Sequence, residues 1–400
     1  MAATSRIFSM LSRPFAVSLA CTLLAISVQA AVLPEERSDV MYHRYDGGGM
    51  VIDGPSVLVR KNFADKVSLA ANYYVDNVSS ASIDVITIKG ASKYSEKRTE
   101  ISGDVTFLQD DMVFNFGYTD SSENDYEAKS YRFDMSHSFF GDMTTVNAGF
   151  SLGDDDISSA EDANFAASLD RRQYRAGIAQ VLSKSLIINL NYEGIIDEGY
   201  LQNPYRKILV TTLDKPPPGE HPPVPGLYTR EAERYPSTRN SDALSLKLAY
   251  YLPWQGAIKS RLGYYSDSWG IDGYSVELDY SHKLYERWVL DFRLRHYQQS
   301  DADFYANLFY NDTVTQNFAA RDKELSEYSS HSVGLGASYE NKLNGPFDRY
   351  RANIQFEYMY FDYENFREVT PATEGLSGVD NEPLYNFDAY ALRVFFTLFY

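Results

Sequence analysis

Only one cysteine, Cys21, occurs in the 400 residues, and it falls inside an N-terminal segment that reads as a cleavable signal. Arg6 and Arg13 precede an apolar run from Phe15 to Val28, and Val28-Gln29-Ala30 supplies the small-residue cleavage pattern of a signal peptide over 1–30. That run falls short of the ~20 apolar residues a spanning helix needs. Ser18 stands where a lipoprotein signal prefers an aliphatic side chain, so lipidation of Cys21 is not expected. A mature chain starting near Ala31 has no thiol, which excludes disulfides, a cysteine nucleophile and an iron–sulfur cluster. After residue 30 no run is long and apolar enough to make a transmembrane helix. Positive charge is scarce too: 37 Lys and Arg stand against 55 Asp and Glu, and losing Arg6 and Arg13 takes the net charge from −18 to −20. Such a chain lacks the basic footprint of a nucleic-acid binder. Neither HExxH, nor a nucleophile elbow, nor a phosphate-binding glycine loop occurs, and Gly47-Gly48-Gly49 reads as a turn.

What the sequence does have is alternation. Leu186, Ile188, Leu190 and Tyr192 share one face, with Asn189, Asn191 and Glu193 on the other. Tyr274, Val276, Leu278 and Tyr280 oppose Ser275, Glu277 and Asp279; Trp288, Leu290, Phe292 and Leu294 oppose Asp291, Arg293 and Arg295. The stretch from Tyr350 to Tyr360 repeats the pattern, and the chain stops on Tyr390, Leu392, Val394, Phe396, Leu398 and Tyr400 at period two. Segments of about ten residues with one apolar face have the length of tilted transmembrane strands. Lipid cannot satisfy open backbone groups, so a spanning sheet must close on itself. The 33 tyrosines and 23 phenylalanines suit aromatic girdles at two membrane interfaces. The expected fold is all-β, a transmembrane antiparallel barrel of about 16 strands. Fourteen strands begin at Val67; segments 51–61 and 40–45 bring the count to sixteen. Fourteen with an inserted N-terminal segment is the alternative. Residues 51–400 then form the barrel, and 31–50 an N-terminal segment holding the possible first strand.

Connection lengths sort by side. Tight turns fall at Gln109-Asp110-Asp111, Phe140-Gly141-Asp142, Leu182-Ser183-Lys184, Pro253-Trp254-Gln255-Gly256 and Lys283 to Arg287. Counting back from Tyr400 puts all of them on the periplasmic side. The long connections, roughly 78–97, 154–170, 194–240, 298–330 and 362–387, then lie outside the cell. The expected location is a Gram-negative outer membrane, in contact with lipid and lipopolysaccharide, with Tyr400 offered to the barrel-assembly machinery.

Inward positions carry Arg132, Arg175, Lys247, Lys259, Arg261, Arg293, Arg295, Arg351 and Arg393 against Glu100, Asp104, Asp134, Glu193, Glu277, Asp279, Asp291 and Glu357. A charge facing lipid at the midplane costs ~2–4 kcal/mol, so these groups must face the lumen. They either pair across strands and fill it, or line a path for a polar solute. Lys247, Lys259, Arg261, Arg293 and Arg295 could form a basic wall, with Glu277 and Asp279 on the intervening strand to neutralise it. The surplus negative charge sits in loops such as Asp154-Asp155-Asp156, where solvated acids are expected and the spacing matches no EF-hand. No metal or cofactor is expected.

Several segments together resemble an uncharacterised family of proteobacterial outer-membrane β-barrel proteins, known as a domain of unknown function. They include Tyr42-His43-Arg44-Tyr45-Asp46-Gly47-Gly48-Gly49, Tyr73-Tyr74-Val75-Asp76, and Val78 to Val85. Others are Gly199-Tyr200-Leu201, Asn203-Pro204-Tyr205-Arg206, Glu233-Arg234-Tyr235-Pro236 with Thr238-Arg239, Tyr265 to Ile271, and Ala302-Asp303-Phe304-Tyr305. The resemblance spans nearly the whole mature chain. It implies a barrel with no assigned reaction, and a link to a periplasmic redox or flavin-related system. The insert Pro216 to Pro225 departs from the pattern and reads as an extended loop. Most matching segments fall at loops or strand ends on the outer side. Asp76, Asp84, Arg206, Arg239, Asp267, Trp269 and Asp303 are therefore candidates for a polar binding rim, or else pair to brace the long loops.

No enzyme is expected. His137, His282 and His296 fall on the outward register, and Ser136 and Ser281 beside them point the other way, whereas a nucleophile needs its base within hydrogen-bond reach. His43 and His331 have no partner at metal-ligand spacing. The expected function is a channel or binding barrel for a small polar solute or ion. The alternative is a closed structural or assembly barrel serving a periplasmic partner.

Overall fold

A computed structural model describes residues 32–79, 95–215, 217, 228–310, 316–368 and 382–400. The expected signal segment, Asp84 and all but one residue of the proline-rich insert lie outside the described residues. The first strands are β1 Arg37–Gly47, β2 Met50–Phe63, β3 Val67–Ser79, β4 Ser95–Gln109, β5 Met112–Ser122 and β6 Tyr126–Phe139. Next come β7 Thr144–Ser158, β8 Ala166–Ser183, β9 Leu186–Gly199, β10 Lys207–Thr211, β11 Tyr228–Ala232 and β12 Thr238–Leu252. The last are β13 Gly256–Asp267, β14 Asp272–Leu284, β15 Trp288–Gln299, β16 Tyr328–Lys342, β17 Arg349–Arg367 and β18 Leu384–Phe399. All but β10 and β11 form one closed antiparallel barrel of sixteen strands, shut by the pairing of β1 with β18. The barrel begins at Arg37, so the segment 31–50 contains its first strand in full.

Parity along each strand decides what faces out. Leu190, Leu246, Leu262 and Val276 are successive cross-strand partners on β9, β12, β13 and β14. Leu335, Phe356 and Leu392 continue the band on β16, β17 and β18. Most of these side chains are exposed. In water such a continuous apolar belt would be unfavourable, at about 25 cal/mol for each Å²; in hydrocarbon it is the required surface.

One end of the barrel, the turn end, carries the start of β1, the finish of β18 and connections of two to six residues. At Ala64 and Asp65 both central residues of the turn have positive φ, 50° and 53°. Lys66 donates its N–H to the Phe63 carbonyl at 3.1 Å across them, closing a tight turn within the three-residue connection, and left-handed central residues match the twist of the strands. The opposite, loop end carries the long connections, together with the Gly48-Gly49 turn, whose φ values of 59° and 81° favour glycine. Every connection read as short lies at the first end, and every one read as long at the second.

The core sits inside the loop end. Many inward residues there are apolar: Tyr45, Ile52, Met359, Phe361, Tyr363, Tyr385 and Ala389 pack into one buried cluster. A second cluster joins Ile157 and Leu169 of the wall to Leu201, Trp269, Ile271, Phe304, Ala320 and Leu325 of the connections. Tyr305 touches both.

Candidate functional site: a capped mouth above a charged chamber

Two connections, the one from β9 to β12 and the one from β15 to β16, fold inward over the loop end. The first forms the small β10–β11 sheet. The second lies against it: Phe309 donates its backbone N–H to the Leu209 carbonyl at 2.9 Å, and Thr211 donates back to the Phe309 carbonyl at 2.8 Å. Arg234 and Ala319 exchange a further backbone pair at 3.0 and 2.8 Å. Ile208, Ala320 and Phe366 have no exposed surface. Several charged groups of this cap find partners within it. Arg206 pairs with Asp322, and Glu233 accepts from the Arg321 amide at 2.7 Å and from the Tyr235 hydroxyl at 2.8 Å. The Arg321 guanidinium donates to the Arg367 carbonyl at 2.9 Å and lies 5.0 Å from the centre of the Phe366 ring. A short 3-10 turn, Lys323–Leu325, is capped by Asp322, whose carboxylate accepts from the Glu324 amide at 2.9 Å.

Four candidate rim residues gather beside the cap. The Asp267 carboxylate, wholly buried, accepts from Arg239 Nε at 2.8 Å and Nη2 at 2.5 Å. It also accepts from the Tyr265 hydroxyl at 2.8 Å and from the Trp269 and Ile271 amides at 2.8 and 3.1 Å. Arg239 lies 4.5 Å from the centre of the Trp269 ring. Asp303 donates its amide to the Trp269 carbonyl at 2.9 Å, and its carboxylate fills the space a Cβ on Gly270 (φ 88°) would need. Arg206 is in the cap itself, and Asp76 is at the wall, 2.7 Å from His43 Nε2 and 3.8 Å from Arg98. All six described candidates thus meet other residues of the chain.

Below the cap the lumen turns polar. A chamber of about 150 Å³ is lined by Lys259, Asp279, Ser281, Asp291, Arg293, Gln355, Glu357 and Arg393 among others. Arg293 Nε meets Asp279 at 2.6 Å, Ser281 donates to Asp291 at 2.5 Å and Ser332 to Glu357 at 2.7 Å. Lys259 stands directly opposite Asp279 in the β13–β14 register. Of the lumen candidates, Lys259, Asp279, Arg293, Glu357 and Arg393 line this chamber, while Arg132, Lys247, Arg261, Glu277, Arg295 and Arg351 do not. Arg261 pairs with Glu277 at 3.4 Å, Arg132 with Asp134 at 3.2 Å, and Arg351 with Glu340 at 2.6 Å near the turn end. The basic wall is therefore divided by its intervening acids.

Two contacts escaped the sequence. His331 lies across from His296, with the Nδ1 atoms 3.3 Å apart, because β15 and β16 pair in that register. Glu96 of β4 and Glu123 and Asp125 of the β5–β6 turn bring carboxylate oxygens within 4.8 Å of one another. Burial pushes the Glu123 carboxyl up from 4.5 to about 8; Glu96, Asp125 and Asp76 add to the shift and Arg98 opposes it. No spacing in the sequence announces this trio, since strand pairing and a turn assemble it.

With this geometry established, comparison with known proteins places the chain. A family profile described as "Protein of unknown function (DUF3570)" matches residues 15–375. The chain belongs to that family. No curated protein matches it. Among solved structures, a bacterial polysaccharide outer membrane secretin is similar at 8% identity, with 92% of this chain and 100% of that one covered and a TM-score of 0.50. The siderophore receptor PirA from Pseudomonas aeruginosa is similar at 10% identity and a TM-score of 0.43 over 83% of this chain. This chain spans 57% of that receptor's length. At such identities the likeness speaks for the fold alone: this DUF3570 member has the closed sixteen-strand barrel of outer-membrane proteins.

Proposed function

We propose that the protein is a binding barrel of the outer membrane, held shut at its loop end by its own cap. Its charged chamber takes up a small polar solute from the turn end. The observation that carries this reading is the buried apolar packing of the cap against the wall, where Ala320 joins Ile157 and Leu169 and Tyr305 meets the cluster of Phe366. Such packing across the mouth obstructs a continuous water path, which a conducting pore needs. The chamber's three cationic and three anionic side chains balance, which favours a dipolar or zwitterionic guest over a simple anion. The apolar outer belt supports insertion in lipid, with the loop end outside, lipopolysaccharide around it and the turn end in the periplasm. Recognition of Tyr400 by the barrel-assembly machinery belongs to the same reading.

The closed mouth equally favours the second reading, a structural barrel whose turn end meets a periplasmic partner. Purified full-length protein in planar bilayers tests the closure. Silence is expected for the native barrel, and stepwise conductance for a chain in which the β15–β16 connection is shortened. Steady conductance from the unaltered protein sinks the proposal. Solute uptake by the chamber, read by calorimetry with Arg293→Ala as the reference, then separates binding from a purely structural role.

A further inference from the structure

We propose a calcium site at the wall of the loop end, formed by Glu96, Glu123 and Asp125. The inference goes beyond the chamber and does not depend on what the chamber binds. Three carboxylates converge there, and Glu96 and Asp125 are each only 3% exposed. Glu123 Oε2 and Asp125 Oδ1 are sealed from solvent with no hydrogen-bond partner. A buried oxygen that accepts nothing costs about 1–3 kcal/mol, and more when it is charged. Among the described residues, Arg98 is a cation facing this group, and it is shared: it meets Glu100 at 2.5 Å, Asp76 at 3.8 Å and Glu123 at 3.9 Å. Crowded buried carboxylates with open lone pairs are what a hard divalent cation requires.

The donor set chooses among cations. Carboxylate oxygens alone exclude the soft metals that look for thiolate or imidazole. Oxygens up to 4.8 Å apart can share one ion at the ~2.3–2.6 Å bonds of calcium. Magnesium, at ~2.0–2.1 Å, would draw such a set in further and demand octahedral geometry.

The site also has somewhere to transmit its order. The other oxygen of Asp125, Oδ2, accepts from the Tyr205 hydroxyl at 2.6 Å, and that hydroxyl accepts from the Ala160 amide at 2.7 Å. Tyr205 stands at the base of the cap connection. An ion that fixes Asp125 therefore fastens the cap to the wall.

The test uses full-length protein, folded in detergent, stripped with EDTA and titrated with calcium chloride by calorimetry. One calcium per chain is expected, with magnesium binding at least tenfold weaker. Glu123→Gln and Asp125→Asn should each weaken calcium by about a hundredfold while heat-modifiable migration on gels persists. A chain carrying Asn at Asp154, Asp155 and Asp156 should keep its affinity. Glu96→Gln serves as the third variant if either of the first two fails to fold. Absence of stoichiometric binding by the native chain overturns the proposal. So does binding that survives in the folded site variants, or that disappears only with the Asp154–Asp156 triplet.

Discussion

Replacing Asp267 with alanine removes an acceptor on which five donors converge, and the structure sets the size of the effect. The carboxylate is fully buried and its partner Arg239 is nearly so. Without it the guanidinium keeps its charge in a site built for a pair, and the Trp269 and Ile271 amides lose their acceptor. Breaking a buried pair from one side costs ~3–5 kcal/mol. Arg239→Ala should cost less, about 1–3 kcal/mol, because the carboxylate it leaves behind still accepts from Tyr265 and two amides. The two changes share one network, so the double variant should lose less than the sum of the singles by ~1–3 kcal/mol. Urea unfolding of the barrel in phospholipid vesicles, followed by tryptophan emission, measures all three. Trp269, packed against Arg239, should report the loosening first. If Asp267→Ala matches the native chain within ~0.5 kcal/mol, or if the two effects simply add, the buried-pair account is wrong.

Gly270→Ala should destabilise the loop end, since its φ of 88° disfavours any Cβ and the added carbon would overlap the Asp303 carboxylate; limited proteolysis of the cap, faster than in the native chain, checks it. Phe356→Arg, on the lipid face, should cost ~2–4 kcal/mol of folding into vesicles, while Gln355→Arg beside it faces the chamber and should cost much less. In EDTA, Glu123 should make stability fall as pH rises. Its folded pKa, about 8, lies above the usual 4.5, so between those values the folded chain holds a proton that the unfolded chain has released. The burial penalty is absent below about pH 4.5 and reaches its full size above about pH 8. Melting curves should show Glu123→Gln gaining on the native chain across that window, and a flat difference refutes the shift.

The barrel was legible because lipid enforces one rule along every strand. Leu190, Leu262 and Phe356 must face out, so their neighbours must face in, and parity alone orients each segment. Connection lengths then oriented the whole, since every long loop lies at one end, although the short β1–β2 and β5–β6 turns share that end. The cap was not legible, for the same reason. Parity assumes a polar lumen, yet at the loop end Met359, Phe361 and Tyr363 are apolar on the inward register beside outward Tyr358. That two-sided apolar stretch was the available signal that something packs inside. Arg206 with Asp322, and His296 with His331, are joined only by tertiary folding, so spacing could not reveal them. Arg239 opens β12, Asp267 ends β13, and Trp269 and Asp303 follow β13 and β15, so strand order already brings these four to one end of neighbouring hairpins.

The seam between β1 and β18 has a consequence for how the molecule is made. It joins groups as far as 362 residues apart in the chain, and closing so long a span costs about 4 kcal/mol more entropy than closing one hairpin. Until the final strand arrives, the growing sheet carries two unpaired edges, each a template for a stray neighbour. Assembly therefore depends on its slowest, most distant contact, and a guide that shields both edges would protect the nascent sheet from aggregation.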